Sequence, residues 1–166
     1  WDRVIDRQVL LEDCDASRIL MLRRFAQADH PFLQAVYALD EAEGRAILES
    51  PRGVALSSFE PDDPRRIGAL MQARAALRSL HDAELAHGAI EGASILVAEG
   101  RAVLLLPRPR DPELRPEPAS MLEGARDDLR ALERLGWSES ASIQPASGAP
   151  ARLPPGSGPS AREESS

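Results

Sequence analysis

The sequence of 166 residues contains no lysine, so all 20 of its cationic Lys/Arg positions are arginine. That absence excludes, for this chain alone, any mechanism resting on a lysine Schiff base or on a lysine ammonium held against a phosphate. Arginine is no equivalent, because its planar fork differs from a compact point charge. Aromatic residues make up only 4%, so a core drawn from the 43% of hydrophobic residues must rest on Leu, Ile, Val and Ala. The single cysteine, Cys14, has no internal disulfide partner and reads as a small half-buried residue. No apolar run approaches the roughly 20 residues needed to cross a bilayer, and no secretory signal is present. These features read as a cytoplasmic chain, or as the intracellular part of a larger protein. The formal charge of −7 argues against a nucleic-acid partner, because phosphate binding needs clustered cations. Beginning at Trp1 rather than Met, the chain reads as a piece of a longer protein.

The local patterns that are present predict a mixed chain. Val9, Leu10 and Leu11 form a short apolar run with strand character. Residues 17–28 read as a helix, with Ile19, Leu20, Leu22 and Phe25 as its apolar stripe and Asp15 or Ser17 as its cap. Pro31 stops it. Residues 38–48 read as a hairpin turning near Glu43-Gly44. Residues 64–80 make the strongest helix. Asp62, Asp63 and Pro64 start it, and Ile67, Leu70, Met71, Ala73, Leu77 and Leu80 keep to one broad face assigned to the core. Two short strands, 95–97 and 102–106, stand on either side of Glu99-Gly100. From Ser138 on, Ser, Ala, Pro and Gly dominate and no apolar face is visible. Residues 138–166 therefore read as a disordered tail after one domain over residues 1–137.

One stretch organises the rest: Leu80-His81-Asp82-Ala83-Glu84-Leu85-Ala86-His87-Gly88-Ala89-Ile90-Glu91-Gly92-Ala93-Ser94-Ile95-Leu96-Val97. It resembles the catalytic loop of the protein kinase family, L-H-x-x-x-x-x-H-R-D-L-K-P-x-N-I-L-V. The frame matches and the chemistry does not: the Asp position holds Ala89, the Lys position Glu91 and the Asn position Ser94. Other phrases follow in the family's order. The run Trp1 through Glu12 is similar to A-W-D-x-x-L-D-R-x-V-A-L-K in strand three of bacterial-type serine/threonine kinases, whose last lysine pairs with the nucleotide's phosphates. Glu12 stands there instead and would repel a triphosphate; by itself it also reads as a solvated strand-end residue. No residue stands before Trp1 to carry the family's glycine-rich loop. His30-Pro31-Phe32-Leu33-Gln34-Ala35-Val36-Tyr37 resembles H-P-x-I-x-x-V-Y ahead of strand four, and counting back from it puts the glutamate position of helix C at Met21.

Glu49 falls at the family's hinge, and Arg52-Gly53-Val54-Ala55-Leu56 resembles the hinge exit. The D-F-G aspartate that holds magnesium falls on Leu106 or, with a one-residue shift, on Pro107, and neither can ligate a hard cation. Residues 108–118, rich in Pro and Arg, stand in the place of an activation segment, with Pro116-Glu117 as a trace of A-P-E. Asp127-Asp128-Leu129-Arg130-Ala131-Leu132-Glu133-Arg134-Leu135-Gly136 resembles the start of helix F, and helices G to I have no counterpart.

The resemblance covers residues 1–137. It implies an α+β, protein kinase-like fold, with a partial N-lobe antiparallel sheet and helix C followed by a truncated, mainly helical C-lobe. Phosphoryl transfer is mostly positioning and electrostatics. With Glu12, Met21, Ala89, Glu91, Ser94 and Leu106 at the working positions, the resemblance implies a pseudokinase with no catalytic residue, no metal site and no cofactor. ATP would find at most a vestigial hinge at Glu49. His87 is expected to pack beneath the D-F-G turn. Asp128 reads either as a cap on the loop backbone around His87 and Gly88 or as an ordinary carboxylate at a helix N-terminus. Other chemistries fare no better. His81 and His87 have no cysteine or carboxylate at zinc-ligand spacing, His30 reads as a loop-packing histidine, and Ser57, Ser58 and Ser94 lack a nucleophile elbow. The expected role is a scaffold or regulator that binds a protein, either an active kinase or the rest of its own parent chain. Residues 108–118 are the first surface to consider for docking, against the reading of an ordinary solvated loop. The alternatives are a noncanonical nucleotide-binding or phosphotransferase domain, and a fragment without independent function.

Overall fold

The computed structural model describes residues 8–108 and 120–137. The expectations for the phrase before Gln8, for Pro116-Glu117 and for the tail over 138–166 lie outside the described residues. Within them the chain is α+β: two small antiparallel sheets and three α-helices in the order β1 (Val9–Asp13), α1 (Ala16–Phe25), β2 (Val36–Asp40), β3 (Arg45–Glu49), β4 (Val54–Ala55), α2 (Pro64–Asp82), β5 (Ile95–Ala98), β6 (Arg101–Leu104) and α3 (Met121–Arg134).

The first sheet has the order β1-β3-β2. Val9 faces Glu49 and Asp13 faces Arg45 across its first ladder. The β2–β3 hairpin turns through Gly44, where φ is +61°. A Cβ there would also stand 2.8 Å from the Cys14 carbonyl oxygen, so only glycine fits. Asp15 caps α1 by accepting the Arg18 N–H at 2.7 Å. The face that α1 buries is Arg18, Ile19, Leu22 and Phe25. Leu20, placed on the apolar stripe by the sequence, is 57% exposed instead; one residue from Ile19 is a rotation of about 100°, which carries it off the inner face.

The second sheet has the order β4-β5-β6. Two of its strands, β5 and β6, fall at the positions expected for the strands over 95–97 and 102–106, and β4 joins them at the edge. The hinge-exit phrase supplies β4, where Gly53 lies so close to β5 that a Cβ would meet the Val97 oxygen at 2.9 Å. The β5–β6 turn runs through Glu99 and Gly100, with φ of 42° and 84°, the positive pair that a two-residue primed turn demands.

Helix α2 begins where Asp63 accepts the Arg65 N–H at 2.8 Å. It buries Ala69, Leu70, Ala73, Ala76, Leu77 and Leu80. Ile67 and Met71, assigned to the core from the sequence, are 44% and 46% exposed. They lie on the far side of the helix from Ala73 and Ala76, whose small side chains let the helix backbone approach β6. Helix α3 starts at Ser120, whose hydroxyl accepts the Glu123 N–H at 3.2 Å, so Asp127 and Asp128 are mid-helix rather than at its beginning.

A single core joins the parts, with Leu22, Leu48, Leu56, Leu77, Leu80, Ile95, Leu104 and Leu132 almost completely buried. The two sheets are also stitched by backbone. Leu33 and Leu104 form a parallel bridge, the Leu104 N–H donates to Phe32 at 2.8 Å, and the Gln34 N–H donates to Leu104 at 2.9 Å. Among the described residues no helix is long and apolar enough to cross a membrane.

Two outcomes follow from this packing. Leu22→Ala should lower unfolding stability by about 2–5 kcal/mol, and Met71→Ala should change it by less than about 0.5 kcal/mol. Urea unfolding of both variants checks the assignment of the two helix faces. The helix caps set an acid limb. The Arg18 backbone N–H holds the Asp15 carboxyl below its ordinary value of 3.8, and the Arg65 side chain does the same for Asp63. Both contributions are complete above that ordinary value and are lost as pH falls through the lower folded values. Replacing both caps by alanine should therefore narrow the stability gap between pH 7 and pH 3, as read by thermal melts at the two pH values.

Candidate functional site

The loop between α2 and β5 is held from below by one carboxylate. Asp128 projects from the middle of α3 and is 1% exposed. Its Oδ2 accepts the His87 N–H at 2.6 Å and its Oδ1 accepts the Gly88 N–H at 2.6 Å. The His81 ring nitrogen Nε2, from the last turn of α2, stands 3.2 Å from the same Oδ2. Of the two readings open for Asp128, this geometry is the loop cap. His87 continues the chain of contacts. Its Nε2 lies 2.6 Å from the Leu105 carbonyl, and its Nδ1 accepts the Ala89 N–H at 3.2 Å. Those two partners together require the Nε2–H tautomer. The edge of the Phe25 ring from α1 meets the His87 ring with centroids 6.4 Å apart. One path of contacts therefore runs from α3 through the loop to the segment after β6 and to α1.

Ser94 is taken up locally: its hydroxyl donates to the Glu91 carbonyl at 2.8 Å and accepts the Glu91 N–H at 3.0 Å. The Glu91 side chain is exposed, and Ala89 is half-buried. Leu106 is 5% exposed and belongs to the core. Met21 is partly buried against the same core.

Glu12 has a partner that the sequence reading missed. Its carboxylate is gripped by the Arg18 guanidinium, with Nε to Oε1 at 2.6 Å and Nη2 to Oε2 at 3.1 Å. The third contact of Arg18 is Nη1 to the Pro107 carbonyl at 2.5 Å. The Arg18 side chain is 5% exposed and that of Glu12 is 23%. The residue of α1 that faces β1 is thus Arg18, one turn before Met21. A signal for it existed: positions 18, 22 and 25 share one helix face, so an arginine stands in line with two core residues. Next to this pair, burial and the Glu12 carboxylate push the Cys14 thiol up from its ordinary value, which makes it a poor nucleophile near neutral pH.

Glu49 is committed to intramolecular partners. Its carboxylate accepts Arg101 Nη1 at 3.1 Å and the Ala35 N–H at 3.2 Å. Its carbonyl accepts Gln34 Nε2 at 2.8 Å, while the Leu106 N–H donates to Gln34 Oε1 at 2.9 Å. Gln34 is 7% exposed and was not singled out by sequence. Glu49, Arg101, Arg52, His30 and Tyr37 line an open groove of about 890 Å³. A smaller one of about 340 Å³ lies on the outer side of α1 between Leu20, Arg23 and Glu41. Neither is lined by Glu12, Ala89, Glu91, Ser94 or Leu106. Among the described residues no group of three or more His, Cys, Asp or Glu side chains could hold a metal ion.

No protein-family model matches this chain, and no curated protein matches it either.

Asp128→Ala should remove the acceptor from the buried His87 N–H and the half-buried Gly88 N–H and cost about 3 kcal/mol. Asp128→Asn should recover little of this, because its amide turns one acceptor into a donor aimed at another donor. Urea unfolding of both variants reads the difference. A double-mutant cycle on Glu12→Gln and Arg18→Gln should give a favourable coupling of about 1–3 kcal/mol; a coupling near zero would mean the pair does not hold α1 to β1.

Proposed function

We propose that this chain is a protein kinase-like module without phosphotransfer activity that acts by binding another protein, as a cytoplasmic scaffold or regulator. The observation that carries this reading is the Glu12–Arg18 pair. The family arrangement sets a cation on the strand and a carboxylate on helix C, so that the cation also reaches the phosphates. Here the strand carries the carboxylate Glu12 and the helix carries the guanidinium Arg18. The same kind of link between strand and helix is kept with its polarity reversed. The remaining reach of Arg18 goes to the Pro107 carbonyl, beside the position of the metal-binding aspartate. Such a pair preserves the placement of the helix while leaving no lysine for a triphosphate.

Two further features support the reading. An antiparallel three-stranded sheet with a helix between its first two strands is what a partial N-lobe requires. The Asp128 carboxylate beneath His87 and Gly88 is what the helix F aspartate does for a kinase loop. The commitment of Glu49 to Gln34, Ala35 and Arg101 weighs against the alternative of a nucleotide-binding domain.

The test is a thermal melt of the chain with and without millimolar ATP, each with and without magnesium. A ligand that binds only the folded state raises the melting temperature, by about 2.7 kcal/mol of stability at 100 times its Kd. The expected outcome is no shift in any condition. A shift that depends on magnesium would overturn the proposal in favour of a noncanonical phosphotransferase. A shift indifferent to magnesium would replace a nucleotide-free scaffold with one that carries nucleotide as a structural ligand.

A further inference from the structure

We draw no further inference here: the strongest candidate, the outer edge of β1 in the first sheet, where Leu10 and Leu11 are exposed, is an apolar strand edge, and nothing among the described residues shows what covers it.

Discussion

The described structure depends first on a carboxylate in the wrong solvent. Asp128 is buried beneath a loop, where an uncompensated charge would be untenable. Two backbone amides and an imidazole surround it. Because those amides belong to consecutive loop residues, the carboxylate dictates where the loop crosses α3 and which turn of α3 lies beneath it. The loop then aims His87 at the Leu105 carbonyl and at Phe25. The placement of α1 relative to α3, which never follow each other in the chain, is transmitted through that one anchored loop. The positions of Ala89, Glu91 and Ser94 are downstream of it.

The groups that hold the loop, the helices and the strand ends to one another are engaged, while Ala89 is half-buried, Glu91 is exposed, the Ser94 hydroxyl is bonded back to Glu91 and Leu106 lies in the core. The Glu12–Arg18 pair belongs to the first set. A half-buried ion pair of this kind is a weak contributor to net stability compared with apolar packing of equal volume, but it is directional. It joins one strand, one helix and one carbonyl in a single geometry.

What the sequence disclosed was mostly local. Asp63-Pro64 marks the start of α2, Glu43-Gly44 the hairpin and Glu99-Gly100 the second turn, because caps and turns are written in a few adjacent residues. The inward face of α2 was not legible. Its apolar residues go nearly all the way round, and the choice between a face of alanines and one of Ile67 and Met71 is made by how closely the helix approaches β6. Strand β4, two residues long, has no pattern to detect. Arg18 was hidden because periodicity treats arginine as solvent-facing, and its acceptor at Pro107 lies far along the chain. Asp128 was legible as one of two possibilities, and the start of α3 at Ser120 decided between them. Gln34 carried no local signal: its partners, Glu49 and Leu106, come together only after both sheets have formed.

That last side chain has a mechanical consequence. The Gln34 amide grips the carbonyl at the end of β3 with its nitrogen and the Leu106 N–H with its oxygen, while its own backbone N–H is bonded to Leu104. The end of β3 is where the chain passes from one sheet to the other, and a jaw made of two sheets would have to pivot there. Opening such a jaw would break the two Gln34 bonds to Leu104 and Leu106 together, each worth about 1 kcal/mol, around a side chain that is almost closed to water. The two sheets are therefore geared together. A push delivered to one would turn the other with it, so that what travels across the molecule is a rotation of a solid body, with no gape between its halves.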